Sequence, residues 1–182
     1  MKRIIAICLA SAALAACQTG EMGPTAPPPP SRAYPPPPSA SRLRESDFAW
    51  SRGAGYGGIL GWMGYGGGAA NYTCGDVVLL PETPWTEARM QRLYGSMMQA
   101  VLPVDQVRAR SPSDATDEAE SNTSAKYARH AQCNAADKFS FAGLPDGAWY
   151  LITVATPRTG GPKIALMKRV VTYGGVFRVV LR

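Results

Sequence analysis

Three hydrophobic regimes follow one another along this chain. Residues 4–14 are apolar apart from Ser11, residues 53–68 interleave glycine with large apolar side chains, and from Thr73 short apolar runs alternate with turn residues. In the third regime Val77-Val78-Leu79-Leu80 predicts a buried strand ended by Pro81. Thr83 then reads as a helix cap with Pro84 at the first helical position. Met90, Leu93, Tyr94 and Met97 fall at helical spacing and are expected to face the core, with Gly95 ending the helix. Residues 101–129 are polar and acidic around Asp114, Asp117, Glu118 and Glu120, and predict a long excursion with little regular structure. Beyond them Lys138-Phe139-Ser140-Phe141 alternates, Leu144 to Gly147 forms a turn, and Trp149 to Val154 is rich in aromatic and β-branched residues. Gly160-Gly161 turns the chain into a strand over residues 163–173, and Gly174-Gly175 has the signature of a two-residue hairpin closing onto Val176–Leu181. The pattern predicts an all-β protein: an antiparallel β-sandwich over residues 73–182, with one inserted short helix and a long polar loop.

The second regime is harder to assign. Nine of the sixteen positions from Gly53 to Gly68 are glycine, and Tyr56, Ile59, Leu60, Trp62, Met63 and Tyr65 lie between them. The spacings Gly57-xxx-Gly61 and Gly64-xxx-Gly68 fit packed membrane helices, but so much glycine makes a poor helix. We read residues 49–72 as one edge strand near Tyr56–Met63 followed by a mobile loop, in preference to a membrane-inserting segment. Exposed rings are enriched at interfaces, so Trp50, Tyr56, Trp62 and Tyr65 are the candidate binding surface.

The first regime is an address. Lys2 and Arg3 precede an apolar run too short to cross a bilayer, which needs about 20 residues, but of the right length for an export signal. Leu14-Ala15-Ala16-Cys17 resembles the lipobox of bacterial lipoproteins. The resemblance implies that residues 1–16 are removed and that Cys17 carries fatty acyl chains such as palmitate. Gln18, in place of Asp, implies transfer to the outer membrane, with the chain facing the periplasm or the cell surface. Each buried methylene contributes about 0.8 kcal/mol to such an anchor. Residues 17–48 contain Pro24, Pro27 to Pro30 and Pro35 to Pro38. They read as an extended, disordered tether, reaching up to roughly 80 Å at about 3.1 Å per residue.

Charge and cysteine content narrow the picture. The chain carries a formal net charge of +6, and its basic residues are scattered, without the aromatic-interleaved stripe of a nucleic-acid binder. Of the four cysteines, Cys8 leaves with the leader and Cys17 takes lipid, which leaves Cys74 and Cys133 as a pair in an oxidising compartment. We expect them to form a disulfide, in preference to two buried thiols.

The run Cys133-Asn134-Ala135-Ala136-Asp137-Lys138-Phe139-Ser140-Phe141-Ala142-Gly143-Leu144-Pro145-Asp146-Gly147-Ala148-Trp149-Tyr150 resembles the T-D-x-x-G-x-F-x-F-x-x-L-P-x-G-x-Y signature of carboxypeptidase-regulatory-like domains. Gly75 to Pro81 resembles an earlier strand of the same domains. The likeness spans about residues 55–182 and implies a transthyretin-like (prealbumin-like) sandwich without activity of its own. Asp137-Lys138 stands where that signature often has a glycine. Physically, Phe139 and Phe141 are expected to share the inward face, with Trp149 or Tyr150 packing back on the core.

Reactive chemistry has little to build on. His130 is the one histidine, so a zinc site of paired histidines is excluded. No nucleophile elbow or phosphate-binding loop is present. Cys133 lies three residues from His130, but a disulfide consumes that thiol. No cofactor, metal or nucleic-acid partner is expected. The chain reads as a non-catalytic outer-membrane lipoprotein, an adaptor for an envelope protein. One alternative is a glycan or peptidoglycan binder using the glycine-segment aromatics. Another is a secretion-system anchor, a role that a transthyretin-like lipoprotein fills in type VI systems.

Overall fold

The structure is a computed structural model that describes residues 42–182. The leader, Cys17 and the proline tract lie outside the described residues. Among the described residues eight strands form two sheets. They are β1 (Gly57–Met63), β2 (Tyr72–Pro81), β3 (Gln99–Pro103), β4 (Arg129–Gln132), β5 (Lys138–Leu144), β6 (Gly147–Pro157), β7 (Ile164–Thr172) and β8 (Gly175–Leu181). The smaller sheet has the order β5-β1-β8 and the larger β3-β7-β6-β2-β4. Their inner faces meet in a β-sandwich core of Ile59, Phe139, Phe141 and Val179 from one sheet and Val77, Leu79, Trp149 and Leu151 from the other.

Several local expectations hold. Phe139 and Phe141 are both buried, with their rings edge to face at 6.1 Å. Trp149 and Tyr150 are both fully buried, on opposite faces of β6, because successive strand residues alternate. Trp149 enters the inter-sheet core, where its indole N–H donates to Thr172 Oγ1 at 3.1 Å. Tyr150 joins a second cluster beneath the helix α1 (Pro84–Tyr94), with Leu80, Met90, Leu93 and Met167. The apolar run in β2 is continuous for the same reason: Val77 and Leu79 face the other sheet, and Leu80 faces the helix. Thr83 and Thr86 form a reciprocal capping box at the start of α1, and Gly95 closes it at φ 71°.

Other expectations are corrected. The Gly174-Gly175 turn does not close a hairpin. Both edges of β7 are already taken by β3 and β6, so β8 crosses to the other sheet and pairs β1 in parallel, from Gly57 opposite Gly175 to Met63 opposite Leu181. The two glycines, at φ 50° and 90°, make that corner. The sandwich is therefore not purely antiparallel.

Strand β1 is the centre of its sheet rather than an edge, and glycine is what fits it there. A Cβ on Gly61 would lie 2.1 Å from the Phe139 ring, and one on Gly57 would lie 2.8 Å from the Leu144 carbonyl. The expected loop after β1 is a 3-10 turn, Tyr65–Ala70, in which Asn71 Nδ2 donates to the Gly66 carbonyl at 2.6 Å. No helix among the described residues is long and apolar enough to cross a membrane.

Regular structure also fills the excursion expected over residues 101–129. After β3 come α2 (Val104–Ala109) and α3 (Ala115–Ala125). Helix α3 lacks an apolar stripe and is held from a distance. Asp117 pairs with Arg89 at 2.9 Å and Arg92 at 2.7 Å, both on α1, while Glu120 accepts from the Trp85 indole at 2.7 Å. Regular structure begins within the stretch expected to belong to the tether. Leu43 N–H donates to Glu120, and residues Glu45–Arg52 form a 3-10 helix whose Phe48 is fully buried against Tyr127 and Trp85. Met97 lies past the end of α1 and is exposed, so it adds nothing to the core.

Gly61→Ala is expected to destabilise the domain by about 2 kcal/mol, as overpacking does in a filled core. Urea denaturation measures it; an unchanged midpoint would mean that the Phe139 ring gives way freely.

Candidate functional site

A clasp between the two sheets shapes the corner where β4 ends and β5 begins. Cys74, in β2, is bonded to Cys133, just past β4, with Cα atoms 5.7 Å apart across 59 residues of chain. In the chain-entropy view such a loop closure stabilises the fold by about 4 kcal/mol. Four residues on, Asp137 is 1 % exposed and sits at φ 54°, the only non-glycine residue at positive φ among the described residues. Aspartate tolerates this left-handed region because its short polar side chain bonds locally. That is the conformation a glycine adopts most easily, and this chain places an aspartate there.

The carboxylate of Asp137 is fully used. It accepts from Thr73 Oγ1 at 2.6 Å, from the Cys74 N–H at 2.9 Å and from Arg158 Nη2 at 2.8 Å. Burial alone would push its pKa up, but the bonds from Thr73 and Cys74 and the Arg158 charge outweigh burial and hold it below the usual carboxylate value. The Asp137 carbonyl also accepts from Met63 N–H at 3.0 Å, so the turn touches β1 as well as β2. Within the turn, Asn134 Oδ1 accepts the backbone N–H of Ala136 and Lys138 at 2.9 and 3.0 Å.

Beside this clasp lies an open groove of about 500 Å³, lined by Leu60, His130, Ala131, Gln132, Asn134, Lys138, Phe139 and Ser140. It runs past the β5 edge of the small sheet, bordered by β4, and reaches that sheet's outer face. On that face the register places Ser140, Leu60 and Arg178 in one row and Lys138, Trp62 and Val180 in the next. Leu60 and Trp62 are 45 % and 39 % exposed. The Gln132 side-chain amide donates to the Asp76 carboxylate.

The four aromatic residues expected to form one surface are dispersed. Trp62 adjoins the groove. Trp50 packs edge-on against Trp149 at 4.8 Å and fills the space that a Cβ on Gly147 would need, so it is a packing residue. Tyr65 packs edge-on against Tyr72 at 4.9 Å. Tyr56 is 96 % exposed near the β7–β8 corner, where its carbonyl accepts from the Gly175 N–H at 3.3 Å. Lys138 and Ser140 were implied by the alternation that sends Phe139 and Phe141 inward. The contributions of Gln132 and Arg178 depend on pairings distant in sequence, which no local pattern signals.

A second polar cluster sits on the other side of the large sheet. Glu82 accepts from Arg169 Nε at 2.8 Å and Nη2 at 2.7 Å, with the Tyr150 hydroxyl at 3.5 Å. Burial, followed by the nearby Glu82 charge, raises the pKa of Glu87. These bonds join the end of β2 to β7 beneath α1. His130 is exposed on β4, and Cys133 is consumed by its disulfide. Among the described residues no group of three or more His, Cys, Asp or Glu is placed to hold a metal ion.

No family model matches the chain, and no curated protein matches it. Among solved structures, a proposed carbohydrate-binding protein from Pseudomonas aeruginosa is similar in fold, with a TM-score of 0.53 over 79 % of this chain and 99 % of that one. The two are 19 % identical, which shows a shared fold alone.

The Asp137 carboxyl has a folded pKa below the unfolded value of about 3.9. Its stabilisation is therefore fully present above roughly pH 5 and is lost as pH falls through the folded value. Asp137→Asn is expected to cost about 2 kcal/mol at pH 7 and to flatten the acid limb of stability against pH. Denaturation midpoints from pH 7 to pH 3 measure both; an acid limb as steep as the wild type's would contradict the assignment.

Proposed function

We propose that this chain is a non-catalytic, lipid-anchored envelope protein whose sandwich binds a glycan in the groove beside Trp62. The observation that carries the reading is the union, on one sheet face, of exposed apolar surface with a border of hydrogen-bonding side chains. Leu60 and Trp62 offer a flat apolar platform to the C–H face of a sugar. Gln132, Lys138 and Ser140 offer donors and acceptors to its hydroxyls, the usual division of labour in a ligand site. The proposed carbohydrate-binding neighbour is compatible with this reading. So is the resemblance to transthyretin-like regulatory domains, which implies a module without activity of its own. Lipid on Cys17 would hold the domain at the outer membrane, within reach of envelope polysaccharide.

A second reading, an adaptor for an envelope protein or a secretion-system anchor, is favoured by a separate surface. Tyr56, Tyr173 and Val176 are 96 %, 69 % and 64 % exposed around the β7–β8 corner, and Tyr173 packs edge-on against Phe177 at 4.5 Å.

Binding of the purified protein to cell-wall sacculi and to soluble envelope polysaccharides separates the two readings. Trp62→Ala is expected to weaken glycan binding about tenfold or more, the loss common for a central aromatic contact, with an unchanged circular dichroism spectrum. Full binding by Trp62→Ala, with loss on Tyr56→Ala, would move the function to the other surface.

A further inference from the structure

The charge on the outer face of the small sheet beside the groove is one-sided, and this names the class of glycan, provided the glycan reading above holds. On the outer face of the small sheet the outward positions are Lys138, Ser140 and Ala142 from β5, Gly58, Leu60 and Trp62 from β1, and Val176, Arg178 and Val180 from β8. Two are cations and none is acidic. His130 borders the groove on β4, and the exposed Asp76, whose carboxylate accepts from the Gln132 amide, belongs to β2 of the other sheet.

The cations do not converge. Lys138 and Arg178 stand on strands separated by β1, hence about 10 Å apart across the sheet and one row apart along it. Between them lie Leu60 and Trp62. A compact multiply charged group such as a phosphate is gripped by donors aimed at one point. Cations spaced along an apolar platform instead suit single negative charges repeated along an extended chain.

We infer that the groove and the adjoining face of the small sheet take an anionic polysaccharide bearing carboxylates on its sugars, with Leu60 and Trp62 against a sugar face and Lys138 and Arg178 meeting carboxylates on either side. Binding of this kind weakens with salt, because both cations are solvent-exposed. A charge-neutral sugar of the same backbone keeps the platform contact and loses the ionic one.

The test uses the full chain in detergent, with polygalacturonate and its carboxyl-reduced neutral counterpart of matched length as probes, by isothermal titration calorimetry at low and at physiological salt. The acidic polymer is expected to bind at least tenfold more tightly than the neutral one. The double variant Lys138→Gln/Arg178→Gln is expected to remove that difference, weakening binding of the acidic polymer more than that of the neutral one. A control pair on other elements, Lys126→Gln/Lys163→Gln, is expected to leave both affinities unchanged. Equal affinity for the two polymers, or an equal effect of the control pair, would overturn the acidic specificity while the glycan reading stands. Binding to neither polymer would overturn both.

Discussion

The Asp137 carboxylate is the interaction on which the arrangement depends. It is buried in a left-handed turn between β4, at the edge of the large sheet, and β5, at the edge of the small one, and its bonds reach several parts of the fold. Thr73 and Cys74 bring in β2, Arg158 brings in the segment after β6, and the residue's own carbonyl brings in β1. A buried charge is tolerated only when it is paired and hydrogen-bonded, and this one is both. The disulfide four residues earlier ties the same corner covalently. Together they fix where β4 ends and β5 begins, and so where the groove opens.

The second constraint is the closeness of β1 to its neighbours. Wedged between β5 and β8, it meets Phe139 and the Leu144 carbonyl at positions where glycine alone leaves room. The same strand turns Leu60 and Trp62 outward. The glycine content that makes this segment a poor helix therefore serves the sheet, and the binding platform follows from strand alternation. On the far side, the large sheet is covered by α1, whose arginines hold α3 through Asp117. That covering leaves the outer face of the small sheet as the face presented to solvent.

Much of the sandwich was legible in the chain. Alternation placed Phe139 and Phe141 inward, the cap at Thr83 and the stop at Gly95 bounded the helix, and the cysteine count gave the disulfide. What was not legible depended on competition between distant segments. Gly174-Gly175 has local hairpin chemistry, but β7 had no free edge to offer. Helix α3 is built from small and polar residues and is recognisable only through the arginines it meets. Trp50 and Tyr65 look like surface aromatics in sequence, yet each packs on a ring, Trp149 or Tyr72. The groove itself joins β1, β4 and β5, segments between 57 and 144 that no local window contains.

A corner clasp, a glycine-permitted central strand and an apolar platform edged with cations form one chain of cause. Its most direct test is an amide chemical-shift map of the isotope-labelled protein titrated with an acidic oligosaccharide. Shifts are expected to concentrate at Leu60, Trp62, Gln132, Lys138, Ser140 and Arg178, with the Tyr56 and Tyr173 corner silent. Shifts confined to that corner or to the helical layer, with the groove unmoved, would contradict it.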